Sequence, residues 1–347
     1  MSQQGPVWSL ANKITLSVVL ILSVSLMSVR LNETPVGAIT DDAYYVEMAR
    51  SIAEGLGPVV QTGPDAVSVN PNIFPSGFPW LLSLFAQFFP TSLSALKIIP
   101  FFSTLLLLPI CLNLSEKRIS LAVVAVVMLN PWVIAWSGRI LSDNPYTVIS
   151  LGALLFYSSL QKKQSGNMVG LLFLVLLCSL AINVRTVGWT VVLAISIDLL
   201  LRRQPIQAML FSLAVPAVSL LWWMPARGGV SFLSEAYIKQ VLSPQLSSYG
   251  PFVFHQFIGY LSELPVILLP VFGNPLEGVL TRAGLGSFYP LLTFLIGLCF
   301  LGLVVLAIHR TRRNVKTGPE IRLFAIYLLV YTAVLLNFNG YPTGVQT

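Results

Sequence analysis

Long apolar stretches recur along the chain and alternate with short basic clusters. About nine of them reach or approach the roughly 20 residues that a helix needs to cross the hydrocarbon core of a bilayer. They are Ile14–Leu31, Leu93–Leu114, Ile119–Trp136, Pro145–Leu160, Met168–Val184, Val187–Leu201, Ile206–Trp223, Phe288–Ile308 and Ile321–Leu336. The pattern therefore predicts an all-α, polytopic transmembrane protein with about nine spanning helices.

The basic clusters orient these predicted helices. They lie in short connections and comprise Lys117 and Arg118, Lys162 and Lys163, Arg202 and Arg203, and the group Arg310, Arg312, Arg313 and Lys316. Short loops rich in Lys and Arg stay on the cytoplasmic side of a membrane. A cytoplasmic N-terminus and nine spans put every cluster there. We therefore expect a multi-pass protein of a bacterial inner (plasma) membrane, with two long outer loops at about 32–91 and 225–287.

Two further apolar segments are expected to lie on the outer membrane surface or to re-enter it without crossing. Ser76–Phe89 is short, and Pro79 interrupts it. Phe252–Val271 is longer, but a crossing here would move the last basic cluster to the outside. The whole chain, 1–347, is treated as one transmembrane domain. It stops at Thr347 just after a helix reaches the outer side, as a fragment lacking C-terminal helices would.

Composition excludes a soluble domain. Hydrophobic residues make up 55% of the chain and charged residues only 10%, against about 25% charged in a typical soluble domain. The net charge of +7 lies mainly in the membrane-flanking clusters and does not indicate nucleic-acid binding. The cysteines Cys111, Cys178 and Cys299 all lie in apolar stretches, without metal-binding spacing. Ten of the 13 acidic residues fall on the predicted outer side, so ionisable chemistry is expected there.

The first outer loop contains the pattern of an amphipathic helix. An apolar stripe at helical spacing comprises Tyr45, Met48, Ala49 and Ile52. Thr40 is a suitable N-cap, and Gly55 is a suitable residue to end the helix. We expect this helix, near Asp41–Glu54, to lie on the membrane surface. A second surface helix is expected near Gly77–Phe89.

Acidic residues begin two of the predicted helices. Asp41 and Asp42 lie in the first turn of the surface helix, where the helix dipole favours negative charge. Asp143 precedes Asn144 and Pro145 at the start of the fourth predicted span. Each of these carboxylates is explained either as a helix cap or as an active-site acid, and both explanations stay open.

Four short motifs, in this order, resemble the integral-membrane glycosyltransferases of the GT-C superfamily. The closest likeness is to bacterial relatives of protein O-mannosyltransferases and aminoarabinose transferases. The motifs are the acidic pair before a Tyr-containing helix (Asp41–Tyr45), the Pro-rich Phe74–Pro79, then Arg139–Asp143 and Asn183–Gly188. A Pro commonly follows the Arg of the last motif in this family, whereas this chain has Thr186.

The resemblance implies a GT-C-like fold and a lipid-linked-sugar-dependent hexosyl or pentosyl transferase. Such an enzyme moves a sugar from a polyprenyl-phosphate carrier to an acceptor hydroxyl on a protein, lipid or glycan at the outer membrane face, with inversion. Asp41 is the expected catalytic base, and Asp42 is expected to face solvent or help cap the helix. Asp143 would be a further acid of the site. No cofactor is required, although two outer acids could hold a divalent cation.

Cations near the carrier phosphate would stabilise the charge that develops on it. Arg185, beside a predicted helix break, is the first candidate for this role. Lys97 and Arg139 are further candidates, and Tyr45 is expected to contribute to substrate binding. For the three cations the alternative is a side chain that only extends to the membrane interface.

Two other classes of function stay open, a secondary transporter and a non-catalytic membrane assembly protein. Transporters place ionisable residues near the bilayer midplane, whereas the predicted helix interiors here are almost free of charge. Asp198 lies four residues before Arg202, which predicts an ion pair at a cytoplasmic helix end.

Overall fold

The computed structural model describes residues 9–33, 36–37, 40–60, 75–114, 120–163, 168–223, 249–269, 272–312 and 318–336. These residues are almost entirely helical and contain no β-strand, so the all-α prediction is confirmed. The α-helices in these ranges are α1 (Leu10–Glu33), α2 (Thr40–Ala53), α3 (Gly77–Ala86), α4 (Leu93–Leu96), α5 (Ile98–Leu114), α6 (Ser120–Met128), α7 (Pro131–Ser137), α8 (Asp143–Lys163), α9 (Met168–Val184), α10 (Trp189–Leu201), α11 (Pro205–Trp223), α12 (Tyr249–Leu268), α13 (Asn274–Arg282), α14 (Tyr289–Arg312) and α15 (Gly318–Leu336).

Three helical segments of the described chain are long and apolar enough to cross a membrane. They are Leu10–Leu31, Leu93–Asn113 and Gly286–Leu303. Shorter apolar helices cover Gly77–Ala86, Met168–Val184, Thr186–Leu201, Pro205–Leu220 and Ile321–Leu336. The helical, membrane-like character predicted from the sequence is thus present, and the full set of nine crossings stays a prediction.

The predicted span Ile119–Trp136 is interrupted. Asn130 separates α6 from α7, and its side-chain oxygen accepts hydrogen bonds from two backbone N–H groups in the first turn of α7, at 2.9 and 3.4 Å. Pro131 follows at the first helical position, where its missing N–H costs nothing. Apolar residues flank this break on both sides, so the hydropathy pattern did not reveal it.

The chain forms two compact units, Met1–Val69 with Phe78–Gly152 and Asn70–Gly77 with Ala153–Thr347, called here the first and second unit. In the first unit α1 packs on α6 and α7, and α5 packs on α6 and α7. A buried core cluster of this unit comprises Val19, Met27, Leu107, Cys111, Val124, Met128 and Ile134. This packing holds the end of α1 against the end of α7, which is close in the sequence to the start of α8.

In the second unit α10 packs on α9, α11 and α15, while α12 packs along α14. A Cβ atom at Gly297 of α14 would collide with the backbone of Leu261 in α12, so only glycine allows this close approach. The predicted segment Phe252–Val271 is thus helical over most of its length, as part of α12. Its placement on the outer surface, or re-entrant from it, stays a prediction.

Three described helices, α2, α10 and α13, end with the Schellman motif. In this motif two successive backbone N–H groups donate hydrogen bonds to carbonyl groups three and five residues earlier. The residue that closes the motif has a positive φ angle, of 80° at Gly55, 59° at Arg203 and 74° at Gly284. Gly55 was predicted to end α2, and this prediction is confirmed. Arg203 is the exception, because a residue with a Cβ adopts this conformation at a cost of about 1–2 kcal/mol.

Candidate functional site

The apolar stripe of α2 lies inside the first unit. Tyr45, Met48, Ala49 and Ile52 are each at most 5% exposed. The ring of Tyr45 meets that of Phe78 edge-on, with 5.0 Å between the ring centroids. The helices predicted near Asp41–Glu54 and Gly77–Phe89 are present, as α2 and α3. The prediction that the apolar stripe of α2 rests on the membrane surface is wrong, because this stripe is buried in the protein. Protein packing and membrane contact require the same helical spacing, so the pattern alone could not separate them.

The two aspartates at the start of α2 have different surroundings. Asp42 is only 2% exposed, and its carboxylate accepts a hydrogen bond from the backbone N–H of Gly37 at 2.8 Å. The expectation that Asp42 faces solvent is therefore wrong. Asp41 is half-buried. Consecutive residues of a helix point about 100° apart, so the orientation that buries Asp42 leaves Asp41 partly open.

Lys97, between α4 and α5, contacts both the end of α1 and the start of α2. Its side chain is nearly buried, and its Nζ atom donates a hydrogen bond to the carbonyl oxygen of Leu31 at 2.8 Å. That carbonyl belongs to the last turn of α1, where backbone carbonyls lack helical partners. Lys97 also interacts electrostatically with Asp42. These contacts favour a positioning role for Lys97 over direct contact with a phosphate.

The start of α8 lies beside α2. The hydroxyl oxygens of Tyr45 and Ser142 are 3.3 Å apart and share a hydrogen bond, although 97 residues separate them in the sequence. Ser142 is buried, whereas Asp143, the first residue of α8, is half-buried. The positive end of the helix dipole stabilises a carboxylate at this position. The first unit thus joins the helix of the acidic pair to the helix that Asp143 begins.

Arg139 lies in the short segment between α7 and α8. The side chain is half-buried, and its Nε atom is fully buried with no hydrogen-bond partner within the described ranges. Gly138 lies against the end of α1, because a Cβ atom here would be 2.6 Å from the carbonyl oxygen of Arg30. An unsatisfied buried donor costs about 1–3 kcal/mol. Arg139 therefore retains a donor that an anion or a water molecule could satisfy.

Arg185 belongs to the second unit and lies at the predicted helix break, which is confirmed. α9 ends at Val184, Arg185 has extended backbone angles, and a 3₁₀ turn covers Thr186–Gly188. The side chain is half-buried. In the same unit Gly77 packs so closely on the end of α9 that a Cβ atom would lie 2.5 Å from the carbonyl oxygen of Asn183.

Asp198 centres a second charged cluster, in the second unit. Its carboxylate is fully buried and accepts hydrogen bonds from Tyr157 Oη at 2.8 Å, Arg202 Nε at 2.6 Å and Arg322 Nε at 2.8 Å. Arg322 Nη2 adds a contact of 2.7 Å. The predicted pair of Asp198 with Arg202 is confirmed. Tyr157 and Arg322 were missed, although one partner is rarely enough for a fully buried carboxylate, which could have prompted a search for more.

No group of three or more His, Cys, Asp and Glu side chains in the described ranges is arranged to hold a metal ion. The divalent cation that two outer acids could hold stays a prediction. The candidate site of the first unit contains the charged groups of α2 and of the start of α8, together with Lys97 and Arg139. Arg185 belongs to the second unit and is considered by itself.

No family model and no curated protein matches the chain. Its function therefore has to be inferred from the chemistry of these side chains and from the four sequence motifs.

Proposed function

We propose that this chain is a GT-C-type membrane glycosyltransferase that moves a sugar from a polyprenyl-phosphate carrier to an acceptor hydroxyl. The meeting of three motifs on Tyr45 carries the proposal. Tyr45 follows the acidic pair, its hydroxyl contacts Ser142 beside Asp143, and its ring contacts Phe78 of the Pro-rich motif. Convergence of separate motifs on one side chain supports a shared reaction site, and helix capping alone does not require it.

The proposed reaction needs one base. The leaving group is a phosphate, which is stable as an anion, so no protonating acid is obligatory. A carboxylate that takes the proton of the acceptor hydroxyl is sufficient, and such assistance is worth about 10²–10⁴-fold in rate. Asp41 suits this role because it is partly open, whereas the carboxylate of Asp42 is buried on Gly37 and near Lys97. Asp143 would orient the acceptor.

Arginine is suited to bind the carrier phosphate, because a guanidinium group can donate two parallel hydrogen bonds to phosphate oxygens. Arg139 of the first unit and Arg185 of the second unit are each a candidate for this role. The buried Nε of Arg139 supports the assignment, since it lacks a partner in the described residues. Lys97 would keep Asp42 and the end of α1 in position. The proposal includes nine crossings of a bacterial plasma membrane, with the site on the outer face.

Turnover of a carrier lipid tests this function directly. The purified chain is reconstituted in nanodiscs with synthetic polyprenyl-phosphate hexoses and pentoses and with a membrane extract as the source of acceptors. Release of polyprenyl phosphate is followed by mass spectrometry. We expect release by the wild-type protein and a loss of at least 100-fold in Asp41→Asn.

Glu54→Gln is the matched control, because Glu54 is exposed just after α2; its activity should be unchanged. Folded wild-type protein that releases no carrier from any sugar donor would contradict the proposal. If the wild-type protein does release carrier, glycan and glycolipid profiles of a deletion strain would identify the acceptor.

A further inference from the structure

The second unit contains a cavity that the proposed reaction does not use. Its volume is about 660 Å³, and residues of α8, α9, α10 and α11 line it. Leu174, Leu199 and Phe211 contribute to mainly apolar walls. The polar side chains that line the cavity are Tyr157, Gln161, Gln204 and Gln207. The volume lies within the range of about 300–1,000 Å³ typical of small-molecule sites.

The outside of this cavity is apolar as well. Met168, Leu171 and Leu210 line the cavity and are 76%, 47% and 57% exposed. Helices that expose this much apolar surface face hydrocarbon when the protein is in a membrane. A molecule that enters between these side chains would therefore come from the bilayer, which favours a lipid chain over a water-soluble ligand.

Basic residues lie beside the polar end of the cavity. Exposed Arg203 directly precedes Gln204, and exposed Lys162 directly follows Gln161. The Oε1 atom of Gln204 is buried and has no hydrogen-bond partner within the described ranges. An apolar chamber that ends in an acceptor oxygen and flanking cations complements a lipid with an anionic, hydroxyl-bearing head group.

The backbone at Arg203 is a separate indication that this side chain has a role. Three described helices close with the Schellman motif, and two of them place glycine at the position with positive φ. The third places Arg203 there, although glycine would adopt the conformation without strain. Residues kept in such conformations occur often at ligand sites, where the surrounding structure maintains the strain.

We infer that this cavity binds one acyl chain of an anionic phospholipid. Arg203 and Lys162 then lie near the lipid phosphate, and Gln204 Oε1 accepts a hydrogen bond from a head-group hydroxyl, as phosphatidylglycerol provides. The predicted topology puts this end of the helices in the cytoplasmic leaflet, where anionic lipids attract basic residues that flank membrane helices. The inference is independent of glycosyl transfer.

Titration of the delipidated, detergent-solubilised full chain tests the site. Native mass spectrometry would measure binding of phosphatidylglycerol and, for comparison, of phosphatidylcholine, which lacks net charge. We expect tighter binding of phosphatidylglycerol. Arg203→Gly should weaken it roughly fivefold, the effect of one cation near a membrane surface, and should leave thermal stability equal or higher. Inorganic phosphate should not compete, since the acyl chain supplies most of the binding.

Two further variants separate the site from general charge effects. Lys13→Gln removes an exposed cation of α1 in the first unit and should not change lipid binding. Ala214→Trp places an indole in the cavity that Ala214 lines and should weaken the binding of phosphatidylglycerol with the cations intact. Equal affinity of the wild type for both lipids would overturn the inference, as would unchanged affinity in both Arg203→Gly and a folded Ala214→Trp.

Discussion

The carboxylates of the two units are held in different ways. In the second unit Asp198 is fully buried, and three side chains donate hydrogen bonds to its oxygen atoms. In the first unit Asp41 and Asp143 lie half-buried at the starts of helices. A carboxylate enclosed by fixed donors has little capacity left for a substrate, whereas a partly open one can still take a proton.

Asp42 occupies an intermediate position between these extremes. Asp42 is almost as buried as Asp198. It accepts a hydrogen bond from a backbone N–H and interacts electrostatically with Lys97, and it lies in the same turn of α2 as Asp41. Burial alone therefore does not separate structural from reactive acids. The three fixed donors that enclose Asp198 describe its structural role better, and substitutions can measure their effect.

The largest effect is expected for Asp41→Asn, which keeps the shape of the side chain and removes the proton acceptor. Carrier turnover should fall by about 10²–10⁴-fold, while the thermal unfolding midpoint stays near that of the wild type. Asp42→Asn should reduce turnover less. A stable Asp42→Asn protein with the greater loss of turnover would move the base from Asp41 to Asp42.

Asp198→Asn should lower thermal stability and leave donor kinetics unchanged, the opposite of the result expected for Asp41→Asn. The substitution leaves Arg202 and Arg322, whose side chains are 24% and 38% exposed, without this negative partner. Because both can still contact water, the cost is smaller than the about 3–5 kcal/mol of a fully buried pair. We expect a drop in the unfolding midpoint in detergent. The KM for the lipid donor of the remaining folded protein should be unchanged. A stable Asp198→Asn protein with altered donor kinetics would contradict the structural role of Asp198.

Local patterns were enough to predict part of both regions. The helix of the acidic pair, its end at Gly55 and the pairing of Asp198 with Arg202 all depend on residues within a few positions of each other. Helical spacing and the identity of the terminating residue express such features directly. The helical character of the chain follows in the same way from repeated apolar stretches.

Contacts between distant segments were not predictable from these patterns. Tyr157 and Arg322 lie 41 and 124 residues from Asp198, and no periodicity links them. For the same reason the apolar stripe of α2 indicated a helix but not its partner, which includes Phe78. The helix break at Asn130 depends on this residue as the N-cap of α7. It lies within an apolar stretch, where hydropathy averaged over many residues changes little because of one polar side chain.

Arg185 tests whether the second unit contributes to the reaction as well as to stability. Arg185→Ala should raise the KM for the lipid donor roughly 10- to 100-fold, because hydrogen bonds to charged groups are worth about 1.5–3 kcal/mol. Arg185→Lys should restore only part of this loss, since the forked donor geometry is missing. Arg282→Ala, at an exposed position of α13, is the control. Unchanged donor kinetics in Arg185→Ala would reject a phosphate-binding role for Arg185.

The smallest effects come from two tyrosine hydroxyls, one in each region. Tyr157→Phe removes a hydrogen bond to the buried charge of Asp198 and should lower the free energy of unfolding by about 1.5–3 kcal/mol, with turnover unchanged. Tyr45→Phe removes a longer bond between neutral hydroxyls, worth about 0.5–1.5 kcal/mol, but should lower turnover because α2 and the start of α8 lose a direct link. Thermal unfolding and carrier release, measured on the same two proteins, give opposite rankings if the two regions differ as proposed. The same ranking in both measurements would mean that Tyr45 only supports packing.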